Sequence, residues 1–247
     1  MKLGIMQPYF CPYIGYFALI AHTDHWVVFD ITQYTRKTWM NRNRIAHPTK
    51  GWQYITVPVI KAPLSTKIYE TKILDLATFK KESLIQIELY KKHAPFYEQV
   101  KALIIQGFEN TLTDSLVELN VNFLKVFCQY LAIPFNYLIC SEENFPLPDI
   151  THPGQWALEI STLLQAHEYV NPLGGQSIFH LPDFIEREIK LSFLSLPALL
   201  YNPRPWEFIE NLSIIDVLMW VPVSTVRKFI YEKAHLAPAS IPTYKVI

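Results

Sequence analysis

The chain has 247 residues, 50% of them hydrophobic and 18% charged, which provides enough apolar side chain for a sizeable core and excludes a disordered chain. Its 22 Lys and Arg equal its 22 Asp and Glu, and that balance argues against an extended nucleic-acid footprint. No run of about 18 apolar residues occurs, so no segment reads as a bilayer span.

Leu3 to Met6 is an apolar run stopped by Gln7-Pro8 and predicts a short buried strand. Pro12 suits the first turn of a helix, and Tyr13, Phe17 and Ile20 follow at helical spacing. Trp26 to Phe29 predicts a second strand ending at Asp30. Strand, helix and strand within about 30 residues have the size of one βαβ unit. Further on, Tyr54 to Val59, Glu70 to Leu74, Phe135 to Ile139 and Ile189 to Leu194 read as strands. Helical patterns cover about 78–93, 95–109 and 112–131, and recur at Trp156 to His167, Ser213 to Trp220 and Thr225 to His235. Tyr169 to Gln176, with Pro172 and two adjacent glycines, reads as a turn-rich link. The expectation is a single α/β domain over 1–247, with a mainly parallel Rossmann-like sheet and a helical insertion at about 78–131.

Charge is not evenly spread. Residues 31–69 contain no acid and seven bases: Arg36, Lys37, Arg42, Arg44, Lys50, Lys61 and Lys67. Removing those seven from 22 leaves 15 bases against 22 acids, a net of −7 for the remainder against +7 for the segment. Four of the bases lie between Thr35 and Arg44, among Asn41, Asn43 and Trp39. Guanidinium forks mixed with amides suit phosphate or carboxylate recognition. A solvated loop whose bases meet acids elsewhere is the competing reading. In an extended backbone Arg42 and Arg44 share a side with Met40, and Asn41 and Asn43 the other. An ion pair from one arginine to Asp30 is weighed equally with ligand contact.

Other candidates follow from position. Gln7 leads from a strand into a helix, the crevice where doubly wound sheets bind ligands. Asp30 and His25 lie near the same predicted crevice and are candidate proton-transfer groups. Gly174 and Gly175, next to Asn171, are read as a loop whose glycines are free to take positive φ and whose N–H groups cradle an anion, or as an ordinary turn. Asp216, early in a predicted helix, must be paired if buried, and Arg42 or Arg44 is its expected partner. The histidines have no metal-ligand spacing, Cys-x-x-Cys is absent, and no dinucleotide or P-loop glycine pattern occurs, so neither metal nor cofactor is assigned. Three widely spaced cysteines, Cys11, Cys128 and Cys140, with no secretory segment, point to a reducing cytoplasm.

Several segments over nearly the whole length carry a resemblance. They are Met6 to Phe17 (MQPYFCPYIGYF), Asp30 with Gln33-Tyr34, Trp39 to Asn43, Val57-Pro58-Val59, Tyr169 to Gln176 (YVNPLGGQ) and Leu212 to Met219. Together they resemble the WbqC-like protein family. The resemblance implies a place in bacterial surface-polysaccharide gene sets and, for some members, a transferase that attaches glycine to a sugar. Two departures stand out: Trp220 and Val221 replace the family's Phe-Asn, and Trp156 to His167 lacks the Arg that members often carry there. The segment Tyr13 to Tyr16 is also similar to the His-x-Gly-His turn of nucleotidyltransferase-like enzymes, with Tyr13 and Tyr16 in the histidine places. Ser224 to Arg227 is similar to their Ser-Thr-x-x-Arg element, at an altered spacing. Tyrosine ionises near pH 10 and cannot replace a neutral imidazole, so no catalytic copy is expected.

The resulting expectation is a transferase acting on a small anionic substrate, a nucleotide-linked or phosphorylated sugar, that joins an amino acid or acyl group to a sugar amine. A non-catalytic ligand-binding or assembly protein is the alternative. Arg42, Arg44 and Lys37 would hold phosphate; Gln7, Gln33, Asn41, Tyr13 and Tyr16 would orient polar groups.

Overall fold

The structure, a computed structural model, describes residues 1–239. Six strands form one sheet: β1 (Lys2–Met6), β2 (His25–Val28), β5 (Tyr137–Ile139), β6 (Glu168–Pro172), β7 (Lys190–Ser195) and β8 (His235–Pro238), in the order β5-β2-β1-β6-β7-β8. All neighbours are parallel except β7 and β8. This is a Rossmann-like α/β fold with a mainly parallel sheet. A separate antiparallel hairpin, β3 (Arg42–His47) and β4 (Gly51–Thr56), carries Arg42 and Arg44 of the basic segment, with Lys50 in its turn.

Both faces of the sheet are covered, which is why β1 reads as an unbroken apolar run. The helix α1 (Ile14–Ala21) lies on one face, with all but its last residue buried. The helices α2 (Leu76–Ile87), α3 (Tyr97–Glu109) and α4 (Leu116–Tyr130) form the helical subdomain and share its core cluster; Phe10 packs on Phe79 and Phe123, and Phe17 on Phe127. On the same side stand α7 (Ile214–Trp220) and α8 (Val223–Lys233). The opposite face is covered by α5 (Gln155–Leu163) and α6 (Leu181–Glu186), which enclose a second core with Leu3, Ile5 and Tyr169. On the α1 face, Gly4 leaves room for Trp26 of the first core, since a Cβ there would lie 2.6 Å from the Trp26 ring.

Some expected elements differ. Tyr169 to Pro172 is not a link but a strand in the interior of the sheet, paired on both sides. Pro172 is tolerated because it is the last residue of β6. Glu70 to Leu74 forms only isolated bridges, Val59 with Ile73 and Lys72 with Ser115. The strand expected at Tyr54 to Val59 starts earlier, at Gly51, because it closes a hairpin with Arg42–His47. His47 Nδ1 accepts from the N–H groups of Thr49 and Lys50 in the turn, and Gly51 takes a φ of 77° there. Gly51 is the sole described glycine with positive φ; Gly174 and Gly175, though free to take that conformation, do not use it and lie in a 3-10 turn, Leu173–Ile178.

Candidate functional site

The chain leaves β1 toward β2 on one side, whereas β6 stands on the other side of β1. Loops at the carboxyl ends of β1 and β6 therefore diverge, and such a switch point leaves a crevice. A cavity of about 570 Å³ opens there. Gln7 from the end of β1, Phe29 from the end of β2 and Asn171 from β6 line it, and His152 and Trp156 close it from the approach to α5. Gly154 permits that closure: a Cβ would come within 2.1 Å of the Ile178 carbonyl oxygen. Among the described residues none that lines this cavity is Asp, Glu, Lys or Arg. Its polar groups are amides, hydroxyls and the His152 imidazole. Gln7 is held from both ends, its Nε2 donating to Thr32 Oγ1 at 3.2 Å and its carbonyl accepting from the Tyr16 hydroxyl at 2.8 Å. Asn171 Oδ1 accepts from the Tyr169 hydroxyl at 2.8 Å.

A second cavity of about 320 Å³ shares Gln7 and Tyr9 with the first and adds Lys37, Trp39, Arg42 and Tyr54. The Arg42 guanidinium lies 3.9 Å above the Tyr54 ring. That stacking fixes its plane and leaves its N–H rim for an anion. Among the described residues none of the seven bases of 31–69 forms an ion pair, so acids elsewhere on the surface do not neutralise them.

The two walls are stitched together. The Phe10 N–H donates to the Trp39 carbonyl at 2.8 Å, and the buried Asn43 amide donates to the Phe10 and Cys11 carbonyls. Asn120 of α4 donates to the carbonyls of Pro8 and Met40. Cys11 is forced to a φ of 40°, which favours glycine; Asn43 Nδ2 and the Ser213 hydroxyl hold its carbonyl at 2.9 and 2.7 Å.

Of the residues expected from sequence, Gln7, Gln33 and Asn171 line the larger cavity, and Gln7, Lys37 and Arg42 the smaller. Others do not reach it. Tyr16 is buried and acts on Gln7 from behind. Tyr13 lines a different, small cavity beside Tyr201 and Asn211. Asn41 is buried and braces the Val57 carbonyl through its Nδ2. Arg44 lies between Trp39 and Trp52, 5.7 and 5.4 Å from their rings, and donates to the Asn211 carbonyl. Gly174 has open space around it, and Gly175 is pressed against Asn171, where a Cβ would come within 2.3 Å of the amide nitrogen.

Three expectations are corrected. His25 opens β2, and because β2 runs parallel to β1 it sits at the amino edge of the sheet, away from the crevice. Asp30 is fully buried and pairs with no arginine; Ser141 holds it through its N–H at 2.9 Å and its hydroxyl at 2.6 Å. Burial raises its pKa, opposed by those two bonds. Asp30 also lines a cavity with Ser115 and Glu118 rather than the crevice. Asp216 pairs with neither Arg42 nor Arg44. Its carboxylate accepts from the hydroxyls of Tyr90 and Tyr201 and from the Ala46 N–H, three neutral donors. The segments expected to meet through that ion pair do meet, but through backbone: the Ser213 N–H donates to the Arg44 carbonyl at 2.9 Å.

The WbqC-like family model matches residues 7–228, which include the turn after β1, α1, the hairpin and most of the crevice lining. The chain belongs to the WbqC-like protein family. It is 34% identical over 219 residues to the uncharacterized protein Rv1507c of Mycobacterium tuberculosis, covering 88% of this chain and 92% of that relative. No solved structure matches it.

Within this WbqC-like chain the quoted segments divide into two roles. MQPYF and the Gln33 region supply cavity walls, whereas Asn43 and Ser213 hold those walls in register. The departure at Trp220 is a packing one: its ring meets Tyr90 at 6.1 Å and Trp206 at 5.4 Å. Sequence reasoning missed His152 as a lining residue, and Tyr9 and Tyr54 as part of the site. His152 lies in a polar, proline-bearing connection with no periodicity, and only the Gly154 contact with Ile178 brings it over the crevice. All three cysteines are buried, and burial raises their thiol pKa values, that of Cys140 to about 12, so none offers a ready thiolate.

Proposed function

We propose that the protein is a transferase of the WbqC-like type that binds a nucleotide-linked or phosphorylated sugar and joins an amino acid, such as glycine, or another acyl group to a sugar amine. The observation that carries this reading is Arg42, stacked on Tyr54 and free of any carboxylate among the described residues, in a cavity that shares the walls Gln7 and Tyr9 with the switch-point crevice. Arg42 and Lys37 hold the phosphates. Gln7, Gln33 and Asn171 orient hydroxyl and amide groups of the substrate. His152 takes the amine proton as nitrogen bonds to the acyl carbon and the leaving group departs, the role first assigned to His25 or Asp30.

The absence of an exposed thiol or a carboxylate in the larger cavity favours direct transfer, and it equally supports the second reading, a ligand-binding or assembly protein without catalysis. Titration calorimetry with UDP-N-acetylglucosamine, dTDP-glucose and GDP-mannose tests the binding half. At least one is expected to bind, and Arg42→Ala to weaken it; no heat from any of the three, or unchanged heats in the variant, removes the assignment. A product assay with the bound sugar nucleotide and an activated acyl donor then separates the two readings.

A further inference from the structure

The two chambers, which share the walls Gln7 and Tyr9, differ in chemistry, and the difference orients the ligand. The larger offers, among the described residues, no Asp, Glu, Lys or Arg but a set of groups that donate or accept: the amides of Gln7, Gln33 and Asn171, the hydroxyls of Thr32 and Thr151, and His152. A pyranose needs this mixture, because each hydroxyl gives one hydrogen bond and takes others. The Trp156 ring, set edge-on to Phe29 at 5.5 Å, offers an apolar face for the sugar's C–H groups. The smaller chamber is cationic through Lys37 and Arg42. At its wall stands Trp39, which is 40% exposed although the chain has a core able to bury it. An aromatic ring of that exposure beside unpaired cations is a stacking platform of the kind that holds bases next to phosphates.

We infer that a nucleoside diphosphate sugar lies with its sugar in the larger chamber, its diphosphate against Lys37 and Arg42, and its base on Trp39. This rests on the function proposed above and adds the direction of the ligand. The sugar then meets the His152 imidazole, and the nucleoside serves as a handle near the rim.

The test crosses two substitutions with three probes. Wild-type protein is titrated with the tightest sugar nucleotide of the panel above, with its nucleoside diphosphate and with the matching sugar 1-phosphate. Trp39→Ala is expected to weaken the sugar nucleotide and the nucleoside diphosphate by about tenfold or more, leaving the sugar 1-phosphate within twofold. Trp156→Ala is expected to do the reverse, sparing the nucleoside diphosphate. Circular dichroism checks that each variant is folded, and Gln33→Ala repeats the sugar arm should Trp156→Ala fail that check. Equal losses across the probes, or the crossed pattern inverted, overturn the orientation while the Arg42 result stands. Failure of every sugar nucleotide to bind wild type is a different outcome, which overturns the underlying function as well.

Discussion

The N–H of Phe10 donates to the carbonyl of Trp39 across 2.8 Å, and this single bond joins the turn after the first strand to the loop that carries the cations. Around it, Asn43, Asn120 and Ser213 add side-chain bonds to carbonyls on either side. The binding walls are therefore backbone surfaces locked by buried amides, and the cations form no ion pair among the described residues.

Removing one lock tests that arrangement. Asn43→Ala leaves the Phe10 and Cys11 carbonyls without its amide in a buried place and releases part of the brace on a residue held at positive φ. Unsatisfied buried groups cost about 1–3 kcal/mol each. Urea unfolding is expected to show a loss of about 2–4 kcal/mol, and a loss below about 0.5 kcal/mol would show the bonds to be incidental.

Arg42 gives a graded prediction. Lysine keeps the charge but loses the planar stack on Tyr54 and the paired N–H geometry. Arg42→Lys is expected to bind a sugar nucleotide with an affinity between those of wild type and Arg42→Ala, with a total range of about 1.5–3 kcal/mol. Wild-type affinity should also fall as salt is raised from about 50 to 300 mM, since the cations of the small chamber are partly open to solvent. Calorimetry at three salt concentrations reads both effects.

His152 and His25 make opposite predictions for the same side-chain type. His152→Ala is expected to lower kcat/KM in the acyl-transfer assay by about a hundredfold or more while sugar nucleotide affinity stays within threefold. His25→Ala, at the other edge of the sheet, is expected to leave both unchanged. Equal effects from the two would remove His152 from the reaction.

Asp216 predicts a pH dependence of stability. Burial raises its carboxyl pKa, and the bonds from Tyr201, Tyr90 and the Ala46 N–H oppose that shift without cancelling it. A folded-state value above the unfolded one means that its stabilising contribution is complete below the ordinary value of 3.8 and is lost as pH rises through the raised value. Asp216→Asn does not titrate there. The variant should gain on wild type as pH increases from about 4 toward 7, by about 1.4 kcal/mol for each unit of pKa elevation. Paired urea melts at four pH values give the difference, and a flat difference would mean that the carboxyl has its usual pKa.

The opening βαβ unit was legible because Leu3 to Met6 and Trp26 to Phe29 are apolar runs broken by strong punctuation. The charge asymmetry of 31–69 was legible from counting alone, and it marked the loop and hairpin that carry Lys37 and Arg42. Tyr169 to Pro172 was not legible as a strand: proline and paired glycines signal a turn locally, and only pairing with β1 and β7 on both sides makes four residues into the sheet's interior. The partner of Asp216 was likewise hidden. Burial demands that a carboxylate be satisfied, but tyrosine hydroxyls from positions 90 and 201 satisfy it as arginine would, and which donors arrive depends on how distant segments pack.

The sequence by itself determined the layered α/β class, the opening strand-helix-strand unit and the presence of an acid-free basic stretch, because these depend on short-range periodicity and composition. The tertiary structure alone decided which end of each strand faces the crevice. Strand direction in the sheet, a property of long-range pairing, placed His25 at one edge, while chain return through α5 set His152 and Trp156 at the other beside Gln7. Proximity across more than a hundred residues is an outcome of core packing, and no local pattern encodes it.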